Sequence, residues 1–198
     1  MAPKLVYFPI AGRAGCIRDA FKLGKIEFED VHVTFEQFKE KKAAGEYTLG
    51  ALPVLILDDG TQVTQSNAIL RWVGKQANLY PTDATQALYV DEVMDAAEDG
   101  YHLISPSIHE SDEEKKMAMR KELVEGKFQA YLKGLATLAA RNGDNGYFVG
   151  SDITVADLKM APFLAWITKG ILDGFPTTLL DGFPGLQKIV ASYNTKTQ

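Results

Sequence analysis

One cysteine, Cys16, stands in the 198 residues, so an internal disulfide framework and a cysteine metal cluster are both excluded, and a reducing compartment such as the cytoplasm is the natural setting. Histidine is nearly as scarce. His32, His102 and His109 are scattered without metal-ligand spacing, and no metal is expected. No basic block offsets the formal net charge of −5, which argues against a nucleic-acid partner, whose phosphates need a Lys/Arg stripe. Apolar runs stay well short of the roughly 20 residues that span a bilayer. The segment Met1 to Ile10, interrupted by Pro9, lacks the apolar core of a signal peptide. Repeats and low-complexity stretches are missing too. What is present is 46 % hydrophobic residues, ample for a packed core in one large domain or two small ones.

The hydrophobic period changes partway along the chain. Lys4 to Phe8 reads as a strand, Arg13 to Leu23 as a helix, and Phe28 to Phe35 as an alternating strand with Val31, Val33 and Phe35 on one face. After a Lys-rich, Gly-containing stretch, Pro53 to Leu57 is a continuous apolar run suited to a covered strand. Asp58-Asp59-Gly60 signals a hairpin turn into a short strand from Thr61 to Thr64, and a helix starts at Ser66. The order is βαβαββα, an α/β layer. Pro81 and the small polar residues around it mark a linker from Leu79 to Asp83.

Beyond the linker only helical signals remain. Val90, Met94, Ala97, Tyr101, Ile104 and Ile108 recur at spacings of four and three, the stripe of one long helix. A second helix is expected from about Asp112 to Arg141, ended by turn residues Asn142 to Gly146. Thr154-Val-Ala-Asp157 has the form of a capping box, so a buried helix should follow it.

Five segments in this order carry a resemblance to the cytosolic glutathione transferases, nearest the tyrosine-using sigma and pi classes. They are Tyr7-Phe8-Pro9 with Gly12-Arg13, Leu52-Pro53-Val54-Leu55, Gln65-Ser66-Asn67-Ala68-Ile69, Ala97-Glu98-Asp99, and Thr154 to Leu158. The resemblance covers nearly the whole chain. It implies a thioredoxin-like, glutathione-binding domain over residues 1–78 and an all-helical domain over 84–198 that completes the electrophile site and a homodimer interface. The reaction implied is conjugation of glutathione, as co-substrate, to hydrophobic electrophiles.

The chemistry explains the residue types. A thiol attacks as its thiolate, yet an unperturbed thiol has a pKa near ~8.5, so at neutral pH most of it is idle. By resemblance the Tyr7 hydroxyl donates a hydrogen bond to the glutathione sulfur and favours the charged form. Arg13 positions the adjoining segment. Leu52, ahead of a cis-Pro53, pairs its backbone with the cysteinyl unit as an added strand would. Gln65 and Ser66 open a helix whose first-turn N–H groups suit the γ-glutamyl carboxylate. Asp99 meets the ligand's ammonium group from the other subunit, and Lys42 meets the glycyl carboxylate.

The chain also departs from the family pattern. Ala51 and Phe38 stand where the family commonly has a glutamine and a tryptophan, so two donors to glutathione are missing, at about 0.5 to 1.5 kcal/mol each. Leu49 stands where several classes have an aromatic plug, and His109 where pi-class proteins place a second tyrosine. The electrophile wall is assigned to Phe8, Ile10, Ala11, Ser105 and His109. Cys16 falls inside the first helix and is read as a buried apolar residue rather than a nucleophile. The alternatives are a glutathione-dependent isomerase or peroxidase on the same fold, a non-catalytic crystallin-like relative, and a thiol-disulfide oxidoreductase using Cys16.

Overall fold

In the computed structural model, which describes residues 2–197, the first apolar run forms strand β1 (Lys4–Tyr7). It is central: β2 (Glu29–His32) runs parallel beside it, β3 (Val54–Ile56) antiparallel on its other side, and β4 (Gln62–Val63) closes the order β2-β1-β3-β4. Parallel pairing requires a crossover. A 3-10 turn (Gly12–Ala14) and helix α1 (Gly15–Leu23) supply it, so the helix expected from Arg13 has a tighter first turn. Ile17, Ala20 and Phe21 of α1 are fully buried, and Phe21 stacks on Phe28 at 4.3 Å.

The strand expected to run on to Phe35 stops at His32 because Thr34 caps helix α2 (Phe35–Ala43). The Thr34 hydroxyl accepts the Gln37 N–H at 3.2 Å, and the Gln37 side chain accepts the Thr34 N–H at 2.8 Å. That reciprocal pair satisfies two donors that have no partner inside the helix, and it pulls Phe35 out of the sheet. Between β3 and β4 the turn closes through Gly60 N–H to Leu57 O at 2.9 Å. The Thr61 N–H donates to Asp59 and holds its carboxyl below the usual range. Helix α3 (Ser66–Gln76) packs on α1 and buries Ile69, Leu70 and Val73. The fold of this part is thioredoxin-like, as the sequence predicts.

The chain divides into two compact units, one up to Tyr80 and one from Pro81. The second holds α4 (Ala84–Ile108), α5 (Glu113–Glu125), α6 (Lys127–Arg141), α7 (Val155–Thr168) and α8 (Pro184–Thr197). On α4 the buried stripe is Val90, Val93, Met94, Ala97, Gly100, Ile104 and Ser107, whereas Ile108 is 48 % exposed and Tyr101 half-buried. A strict seven-residue alternation drifts about 20° per repeat around a straight helix, which carries positions 101 and 108 off the core face. Gly100 takes the inward place because a Cβ there would lie 2.5 Å from the Tyr131 hydroxyl and 2.7 Å from the Phe163 ring.

The single helix expected from Asp112 to Arg141 is two helices. Gly126 separates them at φ −114° and ψ −106°, outside the helical region, and glycine resists that departure least. Helix α7 is buried nearly all round and runs through Pro162. Its capping box is present: Asp157 accepts the Thr154 N–H at 2.8 Å and hydroxyl at 2.9 Å, and its other oxygen accepts the Phe148 N–H at 2.8 Å. Burial pushes the Asp157 carboxyl up to about 6 despite those bonds. Among the described residues no helix is long and apolar enough to cross a membrane.

Candidate active site

Tyr7 ends β1 with its ring buried, 7 % exposed, and its hydroxyl oxygen accepts the backbone N–H of Arg13 at 3.1 Å. The chain can return so closely because residue 12 is glycine. Gly12 adopts φ +40°, and a Cβ there would stand 2.6 Å from the Tyr7 hydroxyl. A phenol oxygen that accepts an amide N–H keeps its own hydrogen for a further acceptor, and the accepted bond makes that hydrogen a better donor. This is the arrangement a thiolate needs beside it.

Around Tyr7 the first unit gathers several of the expected residues. The Phe8 ring stacks on Phe35 at 4.7 Å and meets Phe38 edge-on at 5.6 Å, while Phe38 stacks on Tyr47 at 5.9 Å. The Lys42 ammonium lies 5.7 Å from the centre of the Phe38 ring. Leu52 packs with Phe8 and Phe38 against the core of Val6, Val33, Tyr47 and Val54, and the Leu52-Pro53 bond is cis. Ile10 is 59 % exposed, and Ala11 and Ala51 are exposed as well.

At the start of α3 the cap position belongs to Gln65, which makes no side-chain cap bond, and Ser66 is the first helical residue, 6 % exposed. Gln65 sits at φ +70°, a left-handed conformation that a residue with a side chain holds at a cost of about 1 to 3 kcal/mol. Such strain gathers where backbone groups are aimed at a ligand. First-turn N–H groups have no acceptor inside their own helix, so an anion is the fitting guest.

The other expected residues belong to the second unit and share α4. Asp99 is exposed and lines a groove with Asp95, Glu92 and Tyr131. Burial, then the Asp99 charge, holds the Tyr131 hydroxyl above its ordinary value. Glu98, next to it, turns instead to the buried Lys159, 2.7 Å away on α7. Ser105 is half-buried, and His109 is exposed at the end of α4, its N–H donating to the Ser105 carbonyl at 3.3 Å. Cys16 is buried, 6 % exposed, with its thiol 3.7 Å from the Arg13 carbonyl, so it is the packed residue expected of it. Among the described residues no group of three or more His, Cys, Asp or Glu is arranged to hold a metal ion.

Two residues of the first unit, one of them beside the Tyr7 ring, escape a motif reading. Arg18 on α1 and Asp30 on β2 form an ion pair at 2.9 Å, and Arg18 also reaches the carbonyls of Phe8 and Ile10. Their signal is positional. Arg18 lies four residues after buried Ala14 and three before buried Phe21, a charge beside the apolar stripe of a helix, where it needs a fixed partner.

The sequence matches the model of the glutathione S-transferase N-terminal domain over residues 3–75, and that of the C-terminal domain over residues 98–198. Glutathione S-transferase 2 of Caenorhabditis elegans is 32 % identical over 166 residues, spanning 82 % of this chain and 86 % of that protein. Hematopoietic prostaglandin D synthase of Mus musculus is 32 % identical over 176 residues, spanning 87 % and 84 %. Among solved structures, a C. elegans glutathione S-transferase superposes with a TM-score of 0.84 at 25 % identity, covering 98 % of this chain and 91 % of that one. A monomeric glutathione S-transferase of the hookworm Necator americanus superposes with a TM-score of 0.78 at 28 % identity, covering 98 % and 92 %.

Proposed function

The chain belongs to the glutathione S-transferase family, a family of enzymes that use glutathione as co-substrate, and from that premise we propose that Tyr7 is its catalytic residue. The observation that carries the reading is the Tyr7 hydroxyl held by the Arg13 amide at 3.1 Å. That bond fixes the oxygen and leaves its hydrogen to bond the glutathione sulfur, so the thiol releases its own proton to solvent more readily and the thiolate attacks a hydrophobic electrophile. The new carbon–sulfur bond forms as the leaving group departs, or as the electrophile's unsaturated bond opens and takes up a proton.

In this reading residues 1–78 hold glutathione. Leu52, placed before the cis bond, pairs its backbone with the cysteinyl unit, the amides after Gln65 and Ser66 receive the γ-glutamyl carboxylate, and Lys42 meets the glycyl end. Phe8, Ile10 and Ala11 give the electrophile an apolar wall beside Tyr7. Arg13 sets the position of the loop, and Ala51 and Phe38 adjoin the peptide without donating to it. The exposed carboxylate of Asp99 binds the ammonium group of a glutathione held by a second copy, in a cytoplasmic homodimer. Its orientation supports this: neighbouring Glu98 is turned inward to Lys159 and Asp99 is not. The monomeric hookworm relative makes the oligomeric state a point to measure by light scattering.

Steady-state assay with glutathione and a chloronitrobenzene acceptor tests the proposal. Tyr7→Phe is expected to lose about 100-fold or more in kcat/KM, the usual range for one oriented donor to a developing anion. Equal rates would remove Tyr7 from the mechanism. Glutathione-dependent isomerisation on the same site is a second reading, favoured by relatives named prostaglandin D synthase in Mus musculus and Nilaparvata lugens. It predicts prostaglandin D formation that requires glutathione yet does not consume it.

A further inference from the structure

A guanidinium is planar, always charged and rigidly forked, so when its N–H groups meet fixed acceptors it sets the distances between them. Arg18 does this at the loop that follows β1. Its Nη1 donates to the Ile10 carbonyl at 2.6 Å and its Nη2 to the Phe8 carbonyl at 3.2 Å. Its Nε is shared between the two oxygens of Asp30, at 2.9 and 3.1 Å. The side chain is 12 % exposed, and the guanidinium carbon lies 5.9 Å from the centre of the Tyr7 ring. Asp30 is steadied in turn by His32, whose Nε2 is 3.1 Å from it.

The two clamped carbonyls belong to a tight turn, closed by the Ile10 N–H on the Phe8 carbonyl at 2.8 Å. That turn carries the side chains of Phe8 and Ile10, and it must fold back for the Arg13 amide to reach the Tyr7 hydroxyl. Polar loop carbonyls set in this way by a charge-assisted fork are held more firmly than by water. Three pieces of chain, α1, β2 and the loop after β1, thus meet at one side chain.

We propose that Arg18 is a positioning residue for the transfer reaction, setting the Phe8–Ile10 wall against which the electrophile lies and keeping the Arg13 amide on Tyr7. The inference rests on the reading that Tyr7 activates glutathione, and it adds a division of labour. The peptide backbone and carboxylates of glutathione are assigned to Leu52, Gln65, Ser66 and Lys42, whereas the hydrogen bonds of Arg18 go to Asp30 and to the Phe8 and Ile10 carbonyls. Losing Arg18 therefore separates use of the electrophile from binding of glutathione, whereas an arginine that served stability alone would weaken both together.

The test compares full-length wild type, Arg18→Met, Arg18→Lys and Tyr7→Phe by steady-state conjugation of a chloronitrobenzene acceptor and by calorimetric titration with glutathione. Arg18→Met is expected to lower kcat about tenfold or more and raise the acceptor KM severalfold, with the glutathione Kd within about twofold of wild type. Arg18→Lys keeps the charge but not the fork, and recovers part of kcat. Unchanged kcat and acceptor KM in Arg18→Met would overturn the proposal, as would a rise in glutathione Kd by the same factor or full recovery by lysine. Should Arg18→Met fail to fold, Asp30→Asn loosens the same fork and shifts the same two constants in the same direction by smaller factors; no shift there is an equally adverse result. Failure of the underlying reading looks different: Tyr7→Phe would turn over as fast as wild type, whatever happens at Arg18.

Discussion

Replacing Gly12 by alanine puts a methyl carbon almost where the Tyr7 hydroxyl stands. The added Cβ would lie 2.6 Å from that oxygen and 3.1 and 3.3 Å from the adjoining ring carbons, so the phenol or the loop must retreat. Comfortable contacts between carbons begin near ~3.5 Å, which sets the retreat at about 1 Å. The 3.1 Å bond from the Arg13 amide does not survive such a move, at about 0.5 to 1.5 kcal/mol, and φ +40° costs a residue with a side chain about 1 kcal/mol more. Stability should therefore fall by about 2 kcal/mol, read from urea unfolding. Displacing a reacting donor by about 1 Å can cost up to 100-fold, so kcat/KM for conjugation should fall about tenfold to a hundredfold. The decisive control is a double-mutant cycle. In a Tyr7→Phe background there is no hydroxyl to displace and no amide bond to lose, so Gly12→Ala should cause little further loss of activity and only the backbone part of its stability cost, about 1 kcal/mol, should remain. Undiminished activity in Gly12→Ala, or the same loss with and without the hydroxyl, refutes the reasoning.

Two other expectations concern stability and affinity. Burial raises the Asp157 carboxyl from its ordinary 3.8 to about 6, so the fold favours its protonated form. That contribution is fully present below about pH 4, is lost as pH rises through about 6, and is flat above; at 1.36 kcal/mol per unit it amounts to about 3 kcal/mol. Unfolding of wild type and Asp157→Asn at several pH values should show the gap between them widening on going from pH 7 towards pH 4, and a constant gap contradicts the shift. Ala51→Gln restores a hydrogen-bonding side chain that the family commonly carries there. If it reaches the peptide, glutathione should bind about two- to tenfold tighter by calorimetry, the worth of one added hydrogen bond.

The sheet was readable from its sequence because β1 and β3 are short apolar runs, β2 alternates, and Pro9 and the Gly60 turn punctuate them. What the pattern missed are places where two local signals compete. Phe35 continues the alternation of β2, but the Thr34 cap claims it for α2. Gly126 divides a helix whose apolar spacing runs on past it, and Tyr101 yields its inward place to Gly100 because Phe163 and Tyr131 crowd that point. At the site, Tyr7, Gly12 and Leu52-Pro53 stand out through the ordered segments that carry the resemblance to the family. Arg18, Asp30 and Lys159 do not, since a charged residue reads as a solvated one until a partner from a distant segment is seen beside it.

The most direct test concerns the acidity of the bound thiol. Thiolate absorbance of the complex, followed across pH in wild type and Tyr7→Phe, gives the sulfur's pKa in each. A hydrogen bond to the sulfur should lower it by about one unit or more from the ~8.5 of an unperturbed thiol, and removing the hydroxyl should return it most of the way. A bound thiol that titrates at the same pH in both proteins would contradict the role given to Tyr7.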